Sequence, residues 1–263
     1  MSEEKQQNLM IPIAIVIAGA IVGAAIFFVD KGQPTTAAAT APAAAAAPTT
    51  VLPKDVPAVT AADHITGNLG APVTVVQYTD LECPFCKQFT GTMQQVMAAY
   101  PGKVAWVIRN FPLQQLHPNA PKLALAAECV SALGGNDDYW KFLASIIAQA
   151  PINTFFDMTK LDATATGVGV SGTAFDSCIA SGKYEALITQ EFNDATAAGG
   201  QGTPFSILVL SHPMSASVRQ ALTGIQTTNP GSITLSADGT QVGMNGSQPY
   251  AVVQSILNAL LQS

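Results

Sequence analysis

The hydrophobic pattern divides the chain into three stretches. From Leu9 to Val29 no residue is charged. At about 1.5 Å per residue, a helix of that length spans roughly 30 Å, the apolar thickness of a bilayer. Pro12 falls in its first turn, where a missing N–H does little harm. A cleaved signal peptide is the alternative. Its apolar region usually runs about 7–15 residues behind a positive start, whereas this chain begins Met1-Ser2-Glu3-Glu4-Lys5. The pattern therefore predicts a tail at 1–8 and a retained transmembrane anchor at 9–29. Lys5 and Lys31 lie on either side of the span, so the positive-inside rule does not orient it. Residues 30–62 then exchange large apolar side chains for Ala, Thr and Pro, which cannot bury a core. They predict a disordered linker reaching roughly 30 Å.

From residue 63 to 263 strand and helix periods alternate over a normal single-domain length. Pro72 to Thr79 (PVTVVQYT) is β-branched and aromatic and predicts a buried strand. Pro84 to Tyr100 places Phe89, Met93, Val96 and Met97 on one helical side, and Pro101-Gly102 stops it. Val104 to Ile108 predicts a second strand. Strand, helix and strand at this spacing form a βαβ unit, with parallel strands and a right-handed crossover. A mainly helical stretch follows, within an insertion at about 114–199. Its best helices are Lys122–Leu133, Tyr139–Gln149 and Ala174–Phe192. Strand character returns at Phe205–Leu210. Ile233–Leu235 and Gln241–Met244 flank Asp238-Gly239, a hairpin turn dipeptide. Tyr250–Leu261 is an amphipathic helix. The plan is an α/β domain: βαβ, helical insertion, ββα. Residues His212 to Gly231 interrupt it, with helix character at Ser215–Leu222; near the active face they would form a partner contact. Trp106 and Trp140 are expected in the core.

Composition narrows the function. The chain is 48% hydrophobic and 11% charged, with a net charge of −6. Eleven Lys and Arg form no cluster, which argues against a nucleic-acid partner, since phosphates need one. Four cysteines are too few to replace a core by disulfides.

Two of those cysteines carry the chemistry. Glu82-Cys83-Pro84-Phe85-Cys86 leaves the first strand and opens the helix. There, unpaired N–H groups and the helix dipole favour an anion, which lowers the Cys83 pKa and makes a nucleophilic thiolate. Cys86, one turn on, can displace whatever Cys83 captures. Pro84 suits the first helical turn. Half of a zinc site is the alternative, but zinc usually needs four ligands, and no second Cys-x-x-Cys exists. A Cu(I) pair is a further alternative. The strand–CxxC–helix context favours redox chemistry. The disulfide itself carries two electrons, so no cofactor is needed. Cys129 and Cys178 fit either buried free thiols or, in an oxidising compartment, a structural disulfide. His117, beside Pro118, reads as a structural loop histidine, with a catalytic role as the minor alternative.

The segments YTDLECPFCKQF (78–89), IRNFPLQQLHPNA (108–120), GTPF (202–205) and GSQPYAVVQSIL (246–257) resemble the thioredoxin superfamily. Within it they look most like the DsbA-like thiol–disulfide oxidoreductases with a helical insertion. The resemblance implies a thioredoxin-like fold over 63–263 and a cis proline at Pro204 facing the cysteine pair. It also implies that the Thr203 backbone pairs with an extended substrate. It favours a Cys129–Cys178 disulfide. Two departures concern the tuning of the pair. Many relatives carry a buried acid six residues before the first cysteine; here Gln77 cannot take the proton, leaving Glu82 or Asp80, through water, as substitutes. Strong oxidants carry His where this chain has Phe85, and Asp80 and Glu82 disfavour a thiolate, while Lys87 opposes them. The resemblance thus implies a weaker oxidant than DsbA, between about −120 and −270 mV. The expected protein is membrane-anchored, single-pass, with its catalytic domain extracytoplasmic. It acts on cysteine-containing proteins together with a membrane redox partner. Disulfide formation is the favoured direction; reduction, isomerisation, and a non-catalytic soft-metal or chaperone role are the alternatives.

Overall fold

A computed structural model describes Leu52 and residues 54–262. The tail and the anchor at 9–29 lie outside the described residues. Among the described residues no helix is long and apolar enough to cross a membrane.

A six-stranded sheet forms the centre, in the order β1-β3-β2-β4-β6-β5. The strands are β1 (His64–Thr66), β2 (Val73–Thr79), β3 (Val104–Asn110), β4 (Phe205–Leu210), β5 (Ile233–Leu235) and β6 (Gln241–Asn245). β2 and β3 are parallel, as the βαβ spacing predicts, with Val75 opposite Trp106 and Gln77 opposite Ile108. β4 runs antiparallel to both β2 and β6. The helices are α1 (Pro84–Ala99), α2 (Ala120–Gly134), α3 (Asn136–Gln149), α4 (Leu161–Gly167), α5 (Gly172–Ser181), α6 (Glu185–Ala197), α7 (Ala216–Thr228) and α8 (Tyr250–Leu260).

β2 is buried throughout and sends alternate side chains to opposite faces. Val73 and Val75 join the larger core, which includes Phe89, Met93 and Val96 of α1 and Val253, Ile256 and Leu257 of α8. Val76 and Tyr78 join the smaller core on the other face, with Val107, Phe205 and Ala195 of α6. Gln77 and Thr79 share the parity of Val75 and so face α1. Phe89 is fully buried, so Phe89→Ala would cost about 3–5 kcal/mol through the cavity it leaves.

Several boundaries differ from the sequence pattern. The helix expected over Ala174–Phe192 is two helices, α5 and α6, because Gly182 takes φ +59° and ends the first. This is a left-handed cap that glycine adopts without a Cβ clash. β1 and α4 were not apparent; each is too short for periodicity to show. The expected linker, 30–62, overruns its packed end. Leu52 and Val56 are buried in the smaller core. Leu52 N–H donates to Leu235 O at 3.0 Å, and Val56 N–H donates to Gln241 Oε1 at 3.0 Å. The few apolar residues of this Pro-rich run carry no period, yet Leu52 and Val56 pack against the sheet. The 212–231 segment begins at the end of β4 remote from Pro204. Its helix α7 buries Val218 and Leu222 in the core, so it serves the fold, not the active face.

Both outer strands are three residues long. The outward N–H and C=O of Ile65 in β1 bond the Asn136 side chain at 3.1 and 2.7 Å. The outward Leu235 carbonyl of β5 is taken by Leu52.

Candidate active site

The cysteine pair sits where β2 gives way to α1. Cys83 is the residue before the helix, at φ −64° and ψ 123°, and Pro84 opens the first turn. Cys83 N–H donates to Asp80 O and Lys87 N–H donates to Cys83 O, both at 3.1 Å. This turn aims the Cys83 sulfur at the start of the helix. Both cysteines are free thiols. Cys83 is 4% and Cys86 3% exposed, beside Phe85, which is 60% exposed.

The Cys83 thiol is lowered to about 6. The Cys86 side chain, hydrogen-bonding to it, is the largest cause. Burial opposes, and Thr203 and the backbone N–H groups of Cys86 and Phe85 add to the lowering. Cys86 is pushed well up, chiefly by burial and then by its neighbour Cys83. The two environments separate a ready nucleophile from a reserved one. The peptide bond Thr203–Pro204 is cis, and Cys83 Sγ–H donates to Thr203 O at 3.4 Å. Cys83 thus meets Thr203, 120 residues further on, at the end of β2 and β4 where Gln77 pairs with Ser206.

Lys87 is buried, donating Nζ–H to Thr154 O at 2.7 Å. Burial lowers its pKa, opposed by Glu82, Cys83, Asp80 and Cys86. The two acids before the pair also make contacts of their own. Asp80 Oδ1 accepts from Glu82 N–H, and Asp80 Oδ2 from Leu113 N–H, each at 2.8 Å. His117 Nδ1 lies 2.8 Å from Asp80 Oδ2. Glu82 receives the backbone N–H and the side-chain amide of Asn119, each at 3.0 Å. Each carboxylate oxygen accepts at least one hydrogen bond. The two acids tie the 113–119 loop to the motif. His117 is therefore a partner of Asp80, and Asn119 and Thr79 complete the surroundings. Asn119 lies in a loop, which gives no periodic signal, and Thr79 ends a strand read only as buried, so the sequence alone singled out neither.

Cys129 on α2 and Cys178 on α5 form a disulfide. Trp106 is core, and Trp140 packs partly buried against it. Among the described residues no three His, Cys, Asp or Glu side chains gather as metal ligands.

A dithiol at a helix start, opposite a cis proline, on a βαβ unit carrying a helical insertion, defines a thioredoxin-like protein. The family model described as thioredoxin matches residues 59–219, and the chain belongs to that family. Three solved structures share the fold. BdbD from Bacillus subtilis aligns with TM-score 0.61 at 15% identity, covering 82% of this chain and 100% of that one. DsbA2 from Pseudomonas aeruginosa aligns at 0.56 and 22% identity, covering 80% and 98%. The thiol–disulfide exchange protein α-DsbA2 from Wolbachia pipientis aligns at 0.55 and 19% identity, covering 76% and 88%. The resemblance drawn from the motifs thus holds for the fold. Curated relatives include the Na(+)/H(+) antiporter NhaA 1 of Mycolicibacterium gilvum, 32% identical over 142 residues, which are 54% of this chain and 22% of that protein. The chain spans about a fifth of the length of the curated relatives it matches.

Proposed function

We propose that this chain is a protein thiol–disulfide oxidoreductase of the DsbA type that forms disulfides in cysteine-containing proteins. The observation that carries the reading is the free Cys83–Cys86 dithiol at the helix start, with Cys83 against the Thr203 carbonyl of the cis Thr203–Pro204 bond. A substrate thiolate attacks Cys83 of the oxidised pair. The Cys83–Cys86 bond breaks and Cys86 leaves as a thiolate. A second substrate thiolate then attacks the substrate sulfur, and Cys83 leaves. The substrate loses two electrons and the pair gains them. Stabilising Cys83 as an anion stabilises the reduced pair, which favours oxidation of the substrate over its reduction. Thr203 and Pro204 position the substrate backbone, the cis bond turning the Thr203 carbonyl toward Cys83.

The Cys129–Cys178 disulfide supports an oxidising, extracytoplasmic location. The uncharged run at 9–29 supports a single membrane anchor, and a membrane partner would reoxidise the pair. Oxidation of a dithiol peptide by the full chain, with Cys83→Ser as control, tests the reading. Turnover that depends on Cys83 supports it; equal rates sink it. Equilibration with glutathione fixes the direction, since a potential near −270 mV would mark a reductase.

A further inference from the structure

The buried side of Cys86 faces a polar line that none of these steps uses. Trp106 Nε1–H donates to Gln77 Oε1 at 3.0 Å. Gln77 Nε2–H donates to Thr79 Oγ1 at 3.2 Å. Next to Thr79 comes the Cys86 sulfur, whose pKa the Thr79 hydroxyl and the Asp80 backbone N–H lower against the effect of burial. Gln77, Trp106 and Thr79 are all buried, so water does not compete for these groups.

One end fixes the direction of the line. An indole has an N–H and no acceptor. Gln77 must therefore turn its carbonyl to Trp106 and its NH2 to Thr79. The Thr79 oxygen accepts from Gln77, which leaves its own proton to give, and the sulfur lies on that side. An ionised carboxylate at 77 would accept from Trp106 and from Thr79 together. It would draw the hydroxyl proton away from the sulfur.

We propose that Gln77 is a positioning residue that sets the polarity of a donor chain, Trp106 to Gln77 to Thr79 to Cys86. The chain stabilises Cys86 as a departing thiolate by a hydrogen bond, without removing a proton. This rests on the oxidoreductase reading. When a substrate thiolate attacks Cys83, the bonding pair of the Cys83–Cys86 bond leaves on Cys86. No proton moves in that step. The Thr79 hydroxyl donates to the sulfur as charge develops there, and water later supplies the proton. In the reduced pair the same line continues through Cys86 to Cys83, each donor polarising the next.

The test uses the full chain with Thr79→Val, Thr79→Ser and Gln77→Glu. Glutathione reduces the oxidised pair between pH 5 and 9, and both rate and equilibrium are read. Thr79→Val keeps the shape and loses the donor. It should slow reduction about tenfold and shift the equilibrium about tenfold toward the disulfide, roughly 30 mV. Thr79→Ser should match the parent. Gln77→Glu should match the parent at low pH, where the acid still donates, and approach Thr79→Val as the introduced carboxyl ionises. Three results would overturn the chain: Thr79→Val equal to the parent, Thr79→Ser as impaired as Thr79→Val, or a pH-independent Gln77→Glu effect. If the parent does not exchange with glutathione at all, the oxidoreductase reading itself falls, and the donor chain with it.

Discussion

The four cysteines form two pairs that differ in everything but the element. Cys83 and Cys86 lie three residues apart in one turn; Cys129 and Cys178 lie 49 apart on two helices. The first pair meets polar groups: backbone N–H groups and the Thr79 hydroxyl as donors, and the Thr203 carbonyl as an acceptor. The second meets apolar neighbours in the larger core. Proximity to donors keeps the first pair exchangeable. Enclosure in the larger core suits the second to a permanent brace. A cysteine's role is thus set by what its sulfur can hydrogen-bond to once reduced.

The sharpest way to break that contrast is to remove each pair in turn. Cys83→Ser should reduce dithiol-peptide oxidation to background. The double variant Cys129→Ser/Cys178→Ser should keep Cys83-dependent exchange and lose about 4 kcal/mol of stability in denaturant titration, the loop-closure value for a ring of this size. A double variant without exchange activity would show that the brace shapes the site. Next in size, Cys86→Ala should trap a mixed disulfide on Cys83, seen by mass. It should also move the Cys83 alkylation midpoint upward from about 6, since the Cys86 side chain is the largest cause of the lowering. An unchanged midpoint would assign the lowering to the helix start alone.

The third test follows from pH. With Cys83 lowered from 9.0 to about 6, the reduced protein carries a stabilisation fully present above about 9. It is lost as pH falls through about 6. The oxidised protein lacks it, so the stability difference between the two forms should narrow on acidification. The smallest effect concerns the insertion. Glu191 of α6 accepts from Asn110 N–H and Nδ2–H of β3, at 2.7 and 2.8 Å. Burial raises its pKa from 4.5 to about 7. A raised acid gives stability present below about 4.5 and lost as pH rises through about 7. Glu191→Gln should flatten that part of the profile; an unaltered slope would exclude Glu191 as its source.

Much of this was legible in the chain, for identifiable reasons. β2, α1 and β3 were read within two residues of their ends because long, strongly patterned elements keep one period throughout. The CxxC motif was legible because its chemistry depends on local spacing. The roles of Asp80 and Glu82 were not. Whether a carboxylate tunes a thiol or ties a loop depends on which way its oxygens turn, and only Leu113, His117 and Asn119 decide that. The Gln77 line was hidden for a related reason. A glutamine looks like a lost acid until Trp106 shows which end of the amide is fixed.

The short, occupied borders of the sheet carry a consequence for the proposed function, whose clients would be unfolded chains. Such clients expose sticky segments that seek a strand to copy. Asn136 fills the open groups of Ile65, and Leu52 caps Leu235, so neither rim offers a template for cross-β growth. A client is left to engage the catalyst beside Cys83 and to depart from it, instead of nucleating an aggregate on its flank.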